Sequence, residues 1–106
     1  MKEIRVGDMY ACFESVMSIG RQEMDIATAE RIADFTDAFI TKIQSLDVRR
    51  SEMLAAEYET PEQRLAVFDD FANEKAELPE FSFKEFGHLR ITPEGLSALK
   101  RAGLYT

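Results

Sequence analysis

The stretch from Asp25 to Tyr58 contains neither glycine nor proline, and it constrains the fold more than any other part of the chain. At about 100° per residue, its apolar side chains fall within roughly half of a helical wheel and its charged side chains fall mostly on the other half. The pattern predicts one amphipathic helix after an N-cap at Asp25, on the order of 50 Å long. Because its apolar face is wider than a coiled-coil seam, more than one helix is expected to pack on it.

Shorter helices are predicted on both sides of this long one. The first runs from Met9 to Ile19, with Asp8 as its N-cap and Gly20 as a left-handed residue at its end. The next begins after Thr60, where a threonine cap is followed by a proline at the first helical position, and it runs from Pro61 to about Glu77. A short connection at each end favours antiparallel packing against the long helix.

The C-terminal third mixes strand and helix signals. Residues 81–83 and 88–91 alternate as strands do, which predicts a small two-stranded β element near the C-terminus. Residues 2–6 are either a short strand or a frayed end. A last helix is predicted to begin after Thr92, and Gly103 is expected to terminate it.

The composition predicts a folded chain with a mainly α (α+β) architecture. Apolar residues make up 45% of the sequence and aromatic residues 10%, which is typical of globular domains rather than disordered segments. We therefore expect a single helical domain over residues 1–106. The single cysteine, Cys12, excludes an intrachain disulfide and lies in an apolar helical pattern, so a buried side chain is expected and a reactive thiol is the alternative.

Two charged residues interrupt the apolar face of the long helix. Asp47 and Arg50 are three residues apart and point to the same side as Ile43 and Leu54. Because an unpaired charge on such a face is costly, the two side chains are expected to pair with each other or with groups on a neighbouring helix. A kink at residues 45–47 that turns both outward, or a role in binding, are the alternatives.

The net charge of −7 is concentrated in one segment. Residues 57–80 hold eight acidic residues against Arg64 and Lys75, which argues against direct binding to nucleic acid or to an anionic membrane. The segment is either a solvated helix face or a docking surface for a basic partner, including a mimic of nucleic-acid charge. Together with Asp47 and Arg50, the candidate binding residues are its acidic side chains Glu62, Asp69, Asp70, Glu74 and Glu77.

No pattern in the sequence indicates catalysis, a cofactor or a metal. The only histidine, His88, has no cysteine or second histidine nearby, and no glycine-rich phosphate loop, GxSxG or CxxC motif occurs. We therefore expect a protein that is not an enzyme and that binds no cofactor and no metal. No run of 18 apolar residues and no secretory signal is present, which predicts a cytoplasmic protein without a membrane span.

Three short patterns follow one another along the chain: an "A..IA" helix, an "R..L...Y" segment and an "IT…L.AL" C-terminus. Their residues are Ala29, Ile32, Ala33, Arg50, Leu54, Tyr58, Ile91, Thr92, Leu96, Ala98 and Leu99. In this order the features resemble a family of small phage- and prophage-encoded proteins of unknown function. The resemblance covers most of the chain and implies an origin in a virus or an integrated element of a bacterium, and hence a bacterial host cytoplasm. It implies no catalytic residues.

These observations favour a non-enzymatic protein-interaction module that docks through its helical surface or associates with itself. In a homodimer, the predicted interface is the set of apolar residues Phe35, Phe39, Leu46 and Met53. The alternative is an acidic inhibitor of a host nucleic-acid-handling defence protein, with residues 57–80 in a basic groove. A small helical enzyme or cation binder is the third hypothesis, and it requires the carboxylates to converge.

Overall fold

The structure is a computed structural model that describes all residues from Met1 to Thr106. It is mainly helical, with one two-stranded antiparallel sheet, as the sequence predicts. In chain order the elements are β1 (Lys2–Arg5), α1 (Val6–Gly20), α2 (Ile26–Ala55), α3 (Pro61–Asn73), β2 (Lys75–Leu78), a single 3₁₀ turn (Phe83–Glu85) and α4 (Pro93–Arg101).

The long helix forms as predicted. It begins at Ile26 after Asp25, whose backbone is extended as in an N-cap, and it continues without interruption to Ala55. It ends three residues before Tyr58, whose hydroxyl donates a hydrogen bond of 2.8 Å to the carbonyl of Met53. This bond occupies one of the carbonyls that a helix C-terminus leaves free.

The first helix begins earlier than predicted. Asp8 is not its N-cap, because β1 leads directly into α1 at Val6, whose amide donates to the carbonyl of Glu74 at 2.9 Å. The N-cap residue is Arg5, and Asp8 lies in the first helical turn, where the two side chains form an ion pair. The predicted left-handed conformation of Gly20 is also wrong, since this glycine is helical.

The sheet pairs the first residues of the chain with residues 75–78, a contact that no local sequence pattern predicts. β1 and β2 pair in antiparallel register, with Lys2 opposite Leu78 and Ile4 opposite Ala76. The prediction that α3 continues to Glu77 is wrong, because residues 75–78 form the second strand. Their sequence, KAEL, has ordinary helix formers, so the pairing with β1 overrides local preference.

The predicted strands at residues 81–83 and 88–91 do not form. Phe83 instead begins the 3₁₀ turn, and the phenylalanines of this segment pack on the long helix. The ring of Phe81 stacks on that of Phe35 with centroids 4.5 Å apart, and the ring of Phe83 meets Phe35 edge-on at 5.8 Å. Burial against α2 thus fixes this segment without a β ladder.

The predicted helix caps after the long helix are confirmed. The hydroxyl of Thr60 accepts from the amide of Gln63 at 3.1 Å, and the side chain of Gln63 accepts from the amide of Glu59 at 3.0 Å. The hydroxyl of Thr92 likewise accepts from the first turn of α4. Gly103 directly follows Ala102, the C-cap residue of α4, and has a φ of 74°, which a glycine adopts without steric cost.

The hydrophobic core lies at one end of the molecule. It is built from the sheet, α1, α4, the 3₁₀ turn and the first two thirds of α2, and it includes Cys12, which is fully buried as predicted. From α3 only Phe71 is buried. The molecule measures 53 × 24 × 23 Å, because α2 extends well beyond the core.

Candidate functional site

Residues 47–70 project from the core and form what we call the arm. The arm consists of the last turns of α2, the turn capped by Thr60 and most of α3. Of the 21 buried residues in the chain, none lies in the arm. Since most helical stability in proteins comes from burial of an apolar face, a pair of helices in which Met53, Tyr58 and Phe68 are only half-buried and no side chain is fully buried has little burial to hold it.

The arm nevertheless carries large apolar side chains. Four of the six large apolar residues that are exposed in the whole chain belong to it: Val48, Leu54, Leu65 and Val67. Leu65 is 64% exposed and Val48 is 61% exposed. Apolar surface concentrated in this way marks an interaction surface more often than isolated exposed residues do.

A cleft separates α2 from α3 within the arm and at its base. Its volume is about 440 Å³, and the two helices supply opposite walls. Apolar side chains form more than half of its lining, and acidic side chains stand among them. The lining residues are Arg49, Glu52, Met53, Ala56, Tyr58, Val67, Asp70, Phe71 and Glu74.

An ion pair joins the two walls near the core. The guanidinium of Arg49 donates to both carboxylate oxygens of Glu74, at 2.9 and 2.6 Å, and lies 5.3 Å from the centre of the Phe71 ring. The hydrogen bond from Arg49 holds the pKa of the Glu74 carboxyl below its usual range, and the same bond raises the pKa of Arg49. Glu74, predicted as a binding residue, is therefore already engaged within the chain.

Asp47 and Arg50 meet at Tyr10 of α1 rather than pairing with each other. The Tyr10 hydroxyl donates to Asp47 at 2.6 Å, and the Arg50 guanidinium lies 5.6 Å from the centre of the Tyr10 ring. Of the three predictions, contact with a neighbouring helix is the one that the geometry matches, and α2 runs through residues 45–47 as one continuous helix. Burial, followed by the bond to Asp47, raises the pKa of Tyr10 to about 12.

The other predicted acidic residues separate into two groups. Glu62, Asp69 and Asp70 lie exposed on the arm, with no ion pair within the chain. Glu77 lies outside the arm, on β2, opposite Glu3 of β1. The arm holds seven acidic residues and three arginines, a formal charge of −4.

The homodimer interface predicted from the sequence is wrong for three of its four residues. Phe35, Phe39 and Leu46 are buried in the core of the single chain and have no surface left for a partner. α1 and the phenylalanines after β2 cover this part of the wide apolar face. Only Met53 remains accessible, in the cleft.

The helical period does not identify the exposed apolar residues of the arm. Leu54 shares the apolar side of the long helix with Ile43, and Leu65 shares a side of α3 with Phe68, so the period alone predicts burial for both. The period identifies which residues share a side, but it does not show where along the helix a partner stops. One available signal was the crowding of charged residues at 47, 49, 50 and 52, next to the end of the apolar run.

Outside the arm, the relevant features are a second cavity, the possible metal ligands and the apolar character of the helices. A cavity of about 640 Å³ lies between α1 and residues 90–92, just before α4, and is open to solvent. No group of three or more histidine, cysteine, aspartate or glutamate side chains is placed to hold a metal ion, and His88 is exposed in a turn. No helix combines the length and the apolar character that crossing a membrane requires.

Comparison of the chain with protein-family models, with curated proteins and with solved structures finds no match. The similarity to phage-encoded proteins therefore stays a prediction.

Proposed function

We propose that this protein is a non-enzymatic interaction module whose arm is its docking surface. One observation carries the proposal: residues 47–70 contain no buried side chain but hold four of the six large exposed apolar residues of the chain. A pair of helices with this composition gains most of its stabilising burial only when a partner covers it.

Burial of the exposed apolar side chains of the arm would contribute favourable free energy to docking. Removing a large aliphatic side chain from water contributes about 1.5–3 kcal/mol when burial is complete. Leu54, Leu65 and Val67 are all accessible enough to supply part of this on binding. The partner is either a different protein or a second copy of the chain. A phage or prophage origin, proposed from the family resemblance, would place a different partner in the cytoplasm of the bacterial host.

The proposal is tested by affinity capture with paired variants. Tagged wild-type chain, the double variant Leu54→Glu/Leu65→Glu and the single variant Ile26→Glu are each used to capture proteins from bacterial lysate. Ile26 is 78% exposed and lies at the other end of α2, so it is the matched control. Because all three positions are exposed, circular dichroism is expected to show folded proteins in each case.

Docking through the arm predicts proteins, or further copies of the chain, that the wild type and Ile26→Glu retain and the double variant loses. Capture that is the same for all three chains would assign binding to another surface. Capture of nothing by any of them would remove the support for an interaction module.

A second function, the acidic inhibitor of a host nucleic-acid-handling protein, is favoured by the charge of the arm. Glu62, Asp69 and Asp70 are exposed and unpaired, so they are free to meet a basic groove. Such binding should weaken steeply between low and moderate salt and should be competed by DNA. Captured proteins that resist both treatments would count against it.

A further inference from the structure

We infer that the arm cleft takes an amphipathic helix with basic flanks from another protein. The inference rests on the proposed function and identifies the chemistry of its partner. Three features support it: the shape of the cleft, the apolar character of its floor and the charge of its rims.

The shape favours a helical ligand. The walls of the cleft are the two helices of the arm, and the Arg49–Glu74 ion pair joins these walls. Met53 and Val67 offer apolar contacts from opposite walls, and Phe71 lies between them and the core. Helix-in-groove recognition uses such a surface, since an incoming helix presents its apolar side chains along one stripe.

The rims of the cleft are acidic, and the one basic residue of its lining, Arg49, is hydrogen-bonded to Glu74 and also interacts with the charge of Glu52. Glu52 stands on the α2 wall and Asp70 on the α3 wall, and neither carboxylate forms a hydrogen bond or an ion pair of 4.0 Å or less. Lysine or arginine side chains flanking the apolar stripe of a bound helix would reach both rims, where ion pairs steer association and fix the register of the bound helix.

The same charges argue against a second copy as the occupant. Each arm carries a formal charge of −4, so two arms brought together would repel. A basic ligand gains from the charge that a second copy would have to overcome. A different, basic protein is therefore the occupant to which we commit.

The test uses a synthetic amphipathic peptide of leucine and lysine, about 18 residues and thus about five helical turns, with a fluorescent label. Its binding to the full chain is followed by anisotropy. A leucine–glutamate peptide of the same pattern and a scrambled leucine–lysine peptide serve as controls for charge and for amphipathic order. Sedimentation velocity on the free chain gives its oligomeric state.

Two pairs of variants separate the cleft from general charge and apolarity. Asp70→Lys and Val67→Glu alter the cleft. Glu30→Lys and Ile26→Glu make the same changes at exposed positions near the start of α2. We expect the leucine–lysine peptide to bind the wild type, each cleft variant to weaken it by about tenfold, and both controls to bind as the wild type does.

The inference is overturned if the leucine–glutamate or the scrambled peptide binds equally well, or if Glu30→Lys weakens binding as much as Asp70→Lys does. A chain that dimerises through the arm and ignores the peptide overturns it as well and assigns the cleft to a second copy. In all these cases arm-dependent capture from lysate still supports the proposed function, whereas loss of that capture removes both.

Discussion

At the scale of single residues, Tyr10 connects the core to the arm. Its hydroxyl donates to Asp47, its ring faces the guanidinium of Arg50, and it lies 6.3 Å from the ring of Phe71. Asp47 and Arg50 lie at the start of the exposed part of α2. Because both contact Tyr10, this side chain links the arm to α1. Their charges interrupt the apolar face because this tyrosine offers each of them a partner.

Tyr10 should make stability fall at high pH. Burial raises its pKa from 10.0 to about 12, so the unfolded chain loses the proton first and the free energy of unfolding falls as pH rises from about 10 to 12. Tyr10→Phe is expected to remove this part of the slope and, near pH 8, to cost about 1 kcal/mol through loss of the hydrogen bond. Urea unfolding at a series of pH values measures both effects.

Cys12 provides the control for this experiment. Burial raises its pKa from 9.0 to about 12, so it contributes a fall with the same sign that starts at a lower pH. Cys12→Ala should remove that contribution and leave the part due to Tyr10. An unchanged slope in Tyr10→Phe would contradict the raised pKa of Tyr10, and an unchanged stability near pH 8 would contradict a stabilising hydrogen bond to Asp47.

At the scale of elements, the features predicted from local signals form as expected, whereas the strand that depends on long-range pairing was not predicted. The threonine caps before α3 and α4 need only residues within one turn, and both form as predicted. The strand β2 needs β1, more than 70 residues away in the chain, and its own sequence does not indicate it. Helix caps can therefore be predicted from a sequence, whereas a strand that forms only by pairing with a distant segment cannot.

The two caps should respond differently to the same substitution. Removing either threonine hydroxyl takes about 1 kcal/mol from its own helix. α4 contributes the buried residues Ala98 and Leu99 to the core, whereas most of α3 belongs to the arm and contains no fully buried side chain. Thr92→Ala should therefore lower the free energy of global unfolding, and Thr60→Ala should mainly speed amide exchange in the first turns of α3.

Native-state hydrogen exchange combined with urea unfolding checks this pair. Equal losses of global stability in Thr60→Ala and Thr92→Ala would mean that the arm unfolds together with the core. The division of the chain into two parts would then be incorrect.

At the scale of the whole molecule, the chain divides into a hydrophobic core and an arm that projects from this core and contains no fully buried side chain. The first two thirds of α2 are covered by α1 and by the phenylalanines after β2, while its last turns extend past them. This accounts for the length of α2, because the turns that extend beyond the core supply one wall of the cleft.

This division predicts that truncating an apolar side chain lowers the free energy of unfolding strongly in the core and only slightly in the arm. Phe39→Ala should cost about 3–5 kcal/mol, since the ring is fully buried against Phe13 and Phe35. Leu65→Ala should change the free energy of unfolding by less than about 0.5 kcal/mol, because the side chain is mostly exposed. Chemical denaturation of dilute protein measures both, and a large loss in Leu65→Ala would show that the free chain already covers its arm.

The sequence by itself determined the long helix, the caps at Thr60 and Thr92, the burial of Cys12 and the mainly α class. Each follows from periodicity or from chemistry within a few residues, and such signals do not depend on where the rest of the chain lies. The acidic character of the candidate site was also evident, because charge is a property of composition.

Only the tertiary structure decided which part of each apolar face is covered. Phe35, Phe39 and Leu46 were predicted as an interface and are core, whereas Leu54 and Leu65 were predicted as buried and are exposed. The helical period is the same in both groups, since it records the side of a helix and not the extent of its partner. Where α1 and the phenylalanine segment stop is set by the pairing of β1 with β2 and by packing among distant segments.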